Sequence, residues 1–596
     1  MLSQSQVVIG DALRQVAVFA SLSDAMRQRL VIRATPVRVR AGEWLFRAGD
    51  VGDSLYVVLS GRLEVVRESP GPAVLRALGR GQAFGELSLL TGGPRAASVR
   101  ARRDSELLKL TREDFVELLQ HVPDFGLALT QSLGEQLLDT GRAATPTPPA
   151  PSSIALVAVH AGSPASRLAD ELVRELSRWR TVVRLDPSDE TGGRETVSSH
   201  GARFDRCERE AEQVLLVAES PQGDREWTDF CLRQADRVLA LVDRDEVPAW
   251  LADRAALRGC DVVYCSPRPG RIDTEAWHGL LEPRATHWLW LDETFRAGAR
   301  RIARRLASRS VGVVLSGGGA RGLAHIGVLE ELTAAGVVID RVAGCSMGSF
   351  IGAQFAGGAD ANAIALRCEE ELVHRNPWSD YTIPIVAATR GRKMRTMLAR
   401  VFGSQQIQDL ERAYFCVSAD LINSELVSHD HGPVATAVGA SMCIPGSAPA
   451  LALDGRVLVD GGLFDNLPVE GMASLGEGPI IAVDVTAQAH PPVVTRRGRP
   501  GLLKLRDQLR RAVVGDDAPH PGLRETLFRS IVLASRDTTE AAKRYADLVI
   551  NPETSSIGLT AFGELHRARE LGRRAAWTAL KASPALISPS ARTQDL

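Results

Sequence analysis

The chain has 596 residues, enough for three or four domains of ordinary size. Its 71 Lys+Arg stand against 72 Asp+Glu, a formal net charge of −1, which argues against a nucleic-acid binder with a large basic face and against an acidic disordered chain. Hydrophobic residues make up 44%, sufficient for globular cores, and no window approaches 18 consecutive apolar residues, so no membrane-spanning helix is expected.

The N-terminus lacks the basic and apolar regions of a secretory signal. Cysteines 207, 231, 260, 265, 345, 368, 416 and 443 form no CxxC pair and no zinc-ligand spacing. They are expected to be free thiols of a reducing cytosol, and no metal site is expected. A Pro-rich run at 144–153 reads as an extended spacer, and a polar Arg/Ser run near 304–310 as a second break. The expected blocks are 1–143, 154–308 and 311–582, with a frayed tail at 583–596.

In the first block, glycines 42, 49, 52 and 61 punctuate short runs such as Ser54–Leu59 and Arg62–Val66, the rhythm of a β-barrel or sandwich. Helical patterns flank it at 24–32 and 113–139. Within 84–99 lie the ingredients of a small anion site. Gly85 lets backbone approach closely, Glu86 can accept from a sugar hydroxyl, and the turn Leu87–Leu90 can aim N–H groups at a phosphate. Arg95 supplies a charged fork and Ser98 a hydroxyl. A plain hairpin with a surface Arg would use the same residue types. The run FGELSLL followed by PRAASV nevertheless resembles the phosphate-binding cassette of cyclic-nucleotide-binding domains, over roughly 19–135. The resemblance implies that Glu86 holds the ribose 2′-OH and Arg95 the cyclic phosphate. Gly85, Ala97 and Ser98 would complete the cradle. Ala96 after the arginine leans towards cAMP over cGMP.

The second block alternates apolar strands (154–159, 182–185, 214–217, 238–242, 262–265) with amphipathic helices such as 166–179 and 227–235. It has no P-loop and reads as a structural α/β module.

The third block carries Gly317-Gly-Gly-Ala-Arg-Gly322 after the strand Val311–Leu315, then Gly344-Cys-Ser-Met-Gly348, then Asp460-Gly-Gly462. The second motif fits a nucleophile elbow with Ser346 at the turn. The glycine run exposes backbone N–H groups suited to an oxyanion hole. It also satisfies GxGxxG, but a dinucleotide site wants an acid after the next strand, and Asp340 stands before it. A carboxylate at Asp460 can take the Ser346 proton directly. A Ser-His-Asp triad is the alternative, with His490, His429, His431 and His325 as its weak candidates.

GGGARG, GCSMG and DGG in this order resemble patatin-like phospholipases, lipid acyl hydrolases that use a Ser-Asp dyad. Leu463–Pro468 and Ile480–Asp484 match further. With the nucleotide-binding block and Cys231–Leu239, the chain resembles a bacterial member of the neuropathy-target-esterase type over nearly its whole length. The implied fold is multidomain: a β-roll nucleotide-binding domain with flanking helices, an α/β Rossmann-like middle module and an α/β patatin-like hydrolase. The resemblance implies Ser346 as nucleophile, Asp460 as base, and Gly317, Gly318 and Gly319 as oxyanion donors helped by the Met347 N–H. Arg321 would support the turn or a charged lipid head, with Gly322, Gly344, Gly348, Gly461 and Gly462 shaping the turns. The implied substrate is a lysophospholipid or phospholipid, with cyclic nucleotide as regulator and no nucleic acid as partner. The animal members carry a transmembrane anchor and several nucleotide-binding domains. Here one such domain and no anchor are expected, giving a cytoplasmic protein that touches the membrane peripherally. The mostly uncharged stretch Asn376–Ile385, with Trp378 and Tyr381, suits such an interface or a buried loop. The rival reading is a nucleotide sensor whose hydrolase-like block is a non-catalytic scaffold.

Overall fold

Period-two alternation in the first block produces eight short strands: β1 (Thr35–Val39), β2 (Trp44–Phe46), β3 (Ser54–Ser60), β4 (Leu63–Arg67), β5 (Ala73–Leu78), β6 (Ala83–Phe84), β7 (Ser98–Ala101) and β8 (Ser105–Thr111). They pair antiparallel as two sheets, β1-β8-β3-β6 and β2-β7-β4-β5. Alternation sends successive side chains to opposite faces. Tyr56 and Val58 of β3 therefore pack with Phe84 and Val99 in one core, while Leu55 and Val57 pack with Phe115 in another. Phe115 belongs to helix α2 (Arg112–His121), and the short helix α1 (Glu86–Thr91) sits between β6 and β7. The computed structural model describes residues 19, 23, 30–68, 73–121, 125–127, 129–130, 150–187, 197–219, 223–251, 257–267, 272–383, 385–486, 526, 530 and 533–583.

The second block forms β9 (Ser153–Ala158), β10 (Val182–Leu185), β11 (Gln213–Ala218), β12 (Arg237–Val242), β13 (Asp261–Ser266) and β14 (Ala285–Trp290), in the order β10-β11-β9-β12-β13-β14. The first five pair in parallel, as the βαβ rhythm requires, with helices such as α3 (Ala165–Leu176) and α4 (Arg225–Gln234) between them. A Rossmann sheet would place the third strand outside the second, and here those two are exchanged. β14 went unseen in the sequence, because Ala-Thr-His-Trp-Leu-Trp has neither a β-branched run nor clean alternation.

The chain divides into two compact units: Met1–Pro146, Pro151–Ala285 and Leu289–Arg300 in one, and Arg301–Leu596 with 147–150 and 286–288 in the other. Inside the first unit, buried charge joins the β-roll to the α/β module. Arg62 pairs with Asp236 at 2.9 Å, and Arg103 donates to Ser153 Oγ at 2.7 Å and Glu208 at 2.8 Å. Burial pushes the Asp236 carboxyl up, but Arg103 and Arg62 outweigh it and hold the group below its ordinary range.

The second unit is built on β15 (Val311–Leu315), β16 (Ile339–Cys345), β17 (Ala413–Asp420), β18 (Glu425–His429), β19 (Leu451–Leu453), β20 (Arg456–Asp460), β21 (Ile480–Val483) and β22 (Leu548–Ile550). Its order is β19-β20-β17-β16-β15-β21-β22, with β18 also on β17. β16 runs parallel to β17 and ends at Cys345 opposite Val417; β20 runs antiparallel and ends at Asp460 opposite Ser418. β18 covers Cys416–Asp420 from the other side, so β16 and β20 share one edge of β17. Two strands thus arrive head-on at neighbouring residues. Helix α5 (Ala324–Ala334) follows the glycine turn, α6 (Met347–Ala356) follows Ser346, and α7 (Arg392–Phe402) and α8 (Val434–Ser441) come later. The last helix, α9 (Leu565–Ala582), crosses α5 at backbone contact. A Cβ on Gly327 would lie 1.8 Å from the Arg569 carbonyl oxygen, and one on Gly572 would lie 2.0 Å from that of Ala324.

Candidate active site and nucleotide pocket

The head-on meeting of β16 and β20 brings Ser346 and Asp460 together. Ser346 stands at φ 52°, ψ −119°, a conformation rare for a residue with a side chain, one residue before α6. Its N–H donates to Ser441 Oγ at 2.9 Å, which fixes the turn from α8. The turn closes only without side chains on either flank. A Cβ on Gly344 would lie 2.5 Å from the Gly348 carbonyl carbon, and one on Gly348 would lie 2.2 Å from the Leu315 carbonyl oxygen. Because that second contact is with backbone, Gly348→Ala is expected to cost several kcal/mol and lower Tm measurably, on the order of 1–3 kcal/mol or more for overpacking. Unchanged thermal melting would contradict this account of the elbow.

Asp460 is 3% exposed. Its carboxylate accepts the Gly462 N–H at 2.9 Å and the Cys345 thiol at 3.5 Å, its own N–H is tied to the Cys443 carbonyl at 2.8 Å, and the Ser346 side chain stands close enough to favour its charged form. Burial pushes its pKa up to about 6 against those hydrogen bonds. Gly461 packs its α-carbon against Val417, where a Cβ would meet the carbonyl oxygen at 2.5 Å.

The glycine turn sits at the end of β15 beside this pair. The Gly317 N–H is given to the Asn466 carbonyl at 3.1 Å, so it is not available to an oxyanion. Among the described residues the N–H groups of Gly318, Gly319 and Met347 make no such bond, and they remain the candidate donors. Asn466 was not singled out as a site residue in the sequence, although it lies in the matching run after DGG. Its side-chain amide also reaches the Gly317 carbonyl at 3.4 Å, clamping the turn from both sides. Arg321 is buried and donates to the Ile557 carbonyl at 2.9 Å, which makes it a buttress of the turn. Gly322 lies against Met347, where a Cβ would come within 2.6 Å.

No histidine among the described residues hydrogen-bonds to Ser346 or Asp460. His325 is buried, held to the Ser316 carbonyl at 2.8 Å, and burial pushes its pKa down to about 4. His429 faces Ser418 Oγ at 2.7 Å and is likewise pushed down to about 4 by burial. His431 is exposed and pairs with Asp430 at 2.6 Å. His490 lies outside the described residues. Trp378 is half-buried and stacks on the half-buried Phe562, with ring centroids 4.2 Å apart.

In the β-roll, Gly85 adopts φ 92° and opens α1. A side chain there would collide with Arg95, at 2.6 Å from Nη1. Arg95 is buried, lies over the Phe46 ring at 4.3 Å, and donates to Gly85 O, Ser88 Oγ and Ser54 O at 3.1, 3.1 and 2.8 Å. Around Arg95, the buried Glu86 Oε2 and Arg95 Nε make no hydrogen bond. Such orphans are costly in a folded protein and point to a polar ligand. Ser98 is not open as a donor, since its hydroxyl donates to Glu68 and accepts from the Ala48 N–H at 2.8 Å. Ala97 lies half-buried just before β7.

Residues 313–473 match the patatin-like phospholipase family model, and 36–122 match the cyclic nucleotide-binding domain. The NTE family protein Rv2565 of Mycobacterium tuberculosis (strain ATCC 25618 / H37Rv) is 35% identical over 589 residues, covering 97% of this chain and 97% of its own. The chain belongs to the NTE family. NTE-family similarity extends to fungi: the lysophospholipase nte1 of Aspergillus fumigatus is 27% identical over 628 residues, and the match spans 90% of this chain but 41% of that protein. This NTE-family chain therefore carries a hydrolase domain of the phospholipase/esterase class and a cyclic-nucleotide-binding domain. No helix among its described residues is long and apolar enough to cross a membrane.

Proposed function

We propose that this protein is a serine esterase that cleaves acyl esters of lysophospholipids or phospholipids with a Ser346–Asp460 dyad and is regulated by a cyclic nucleotide. The observation that carries the reading is the buried Asp460 carboxylate facing Ser346 where the ends of β16 and β20 meet on one edge of β17. Ser346 Oγ attacks the ester carbonyl carbon as its proton passes to Asp460. The oxyanion points to the N–H groups of Gly318 and Gly319, with Met347 at the start of α6. The tetrahedral adduct collapses, the glycerol oxygen leaves with the proton from Asp460, and an acyl-enzyme remains. Water then attacks, giving its proton to Asp460 and releasing the fatty acid as Ser346 regains its hydrogen. A base with pKa about 6 is ionised at neutral pH yet still basic enough to accept a proton in passing.

In the β-roll, Glu86 would accept a ribose hydroxyl and Arg95 would turn its fork to the cyclic phosphate, with cAMP favoured over cGMP. Orphaned Glu86 Oε2 and Arg95 Nε support this assignment. The test is hydrolysis of a lysophosphatidylcholine panel with and without cAMP. Release of fatty acid that changes with cAMP is expected; no release from any member would overturn the esterase reading. Calorimetry tests the pocket separately. Arg95→Ala should weaken cAMP binding by 10-fold or more, on the scale of about 1.5–3 kcal/mol for a charge-assisted bond. Equal heats for both proteins would remove the nucleotide assignment.

A further inference from the structure

A short looped hairpin beside the candidate active site carries its most exposed apolar side chains. Residues 380–383 and 385–390 fold back on one another: Arg390 N–H donates to Asp380 O at 2.9 Å, Thr382 N–H to Ala388 O at 3.1 Å, and Tyr381 faces Thr389. One end is anchored by the stacking of Trp378 on Phe562. The other is tied to the segment after Cys443, by Ala388 N–H to Gly446 O at 2.9 Å and Thr389 N–H to Ser447 O at 3.1 Å. Cys443 is the residue whose carbonyl holds the Asp460 N–H. The hairpin base is thus two linked steps from the dyad. Its tip, in contrast, is bare: Ile383, Ile385 and Val386 are 78, 87 and 79% exposed.

A second apolar prong lies on the same side of the sheet. Ser418 is level with Asp460, β17 ends two residues on at Asp420, and the turn that follows carries Leu421 and Ile422, 49 and 61% exposed. Exposed apolar side chains that fall together in one tip, rather than scattering singly, mark an interaction surface. Charge identifies what it meets. Arg390, Arg392, Lys393 and Arg395 are all exposed at the hairpin's return and the start of α7. Asp380, the carboxylate among them, is occupied in accepting the Arg392 and Lys393 N–H groups at 2.8 and 3.2 Å. Aliphatic side chains with a cationic flank are the signature of insertion into the headgroup boundary of a bilayer.

We infer that the Ile383–Ile385–Val386 tip, with Leu421 and Ile422, docks the hydrolase on a lipid bilayer and presents the dyad to acyl chains at its surface. This deepens the esterase proposal and rests on its assignment of a lipid substrate. The experiment is sedimentation of the full chain with phosphatidylcholine vesicles, with and without added phosphatidylglycerol. Wild type and Ser346→Ala are expected to bind alike, and more tightly when phosphatidylglycerol is present. The triple variant I383E/I385E/V386E should lose on the order of tenfold or more in partitioning, while its turnover of a soluble short-chain ester stays within about twofold. That second readout shows the variant folded. Vesicle binding by the triple variant equal to wild type, or none by wild type, overturns the docking surface. So does a wild-type dimer in light scattering that the triple variant dissolves, since a second copy would then cover the tip. Normal vesicle binding with undiminished lipid hydrolysis by Ser346→Ala leaves the surface supported and removes the dyad instead.

Discussion

Ser346→Ala is expected to lower kcat for a phospholipid acyl ester by about 10⁴–10⁶-fold and to abolish labelling by a fluorophosphonate probe. The expectation follows from position rather than from residue type. Among the described residues, Ser346 is the hydroxyl-bearing side chain that bears on the Asp460 carboxylate, and it stands one residue before the N–H groups that open α6. Alanine keeps the Cβ already accommodated there, so the elbow should persist with its backbone strain unchanged. KM should move little, because the acyl chain and headgroup contacts are untouched. Residual turnover would come from the remaining N–H donors. Equal labelling of wild type and Ser346→Ala would place the nucleophile elsewhere and sink the dyad.

Asp460→Asn should cost about 10³–10⁵-fold in kcat, since an amide of the same shape cannot take the Ser346 proton. Wild-type activity should in addition fall on the acid side through about pH 6, because the reactive form is the ionised carboxylate and burial has pushed its pKa from 3.8 to about 6. Stability moves the other way. Between pH 4 and 6 the folded protein holds a proton that the unfolded chain has released, so this carboxyl's contribution declines as pH rises through that window and is fully lost above it. The shift of about 2 units corresponds to roughly 3 kcal/mol at pH 7 and above. Asp460→Asn is therefore expected to melt at or above the wild-type temperature at pH 8 while being nearly inactive. A pH–kcat profile and paired melts at pH 5 and 8 check both halves. An acid limb near pH 4, or a strongly destabilised Asn variant at pH 8, would mean that Asp460 is not a desolvated base.

Much of this was written in short motifs whose chemistry is local. GCSMG dictates a strand, a sharp turn and a helix, because each flanking glycine meets backbone where a Cβ would stand. DGG and the glycine run are legible for the same reason. What the motifs cannot carry is how far each donor is already occupied. Gly317 looks like its two neighbours in sequence, but only the fold shows the Asn466 carbonyl on its N–H. Ser98 likewise reads as a free hydroxyl until Glu68, 30 residues earlier, comes into reach. Trp378 and Tyr381 suggested an interface by composition, and the tertiary structure divides them: one stacks on Phe562, the other belongs to the exposed hairpin. The Asp236 junction depends on arginines more than 130 residues away, a distance over which no local pattern speaks. Its one trace is that Asp236 falls within the middle-block segment that resembles the family.

The crossing of α5 and α9 carries a consequence in time. Helix α5 leads directly out of the glycine turn, and it rests by bare backbone on residues 569–573. During synthesis the turn, the elbow and Asp460 all leave the ribosome before that support exists. The support that α9 gives to α5, and through it to the glycine turn, arrives only when residues 569–573 have been made. The hydrolase domain is therefore closed by a segment made after every residue of its candidate site.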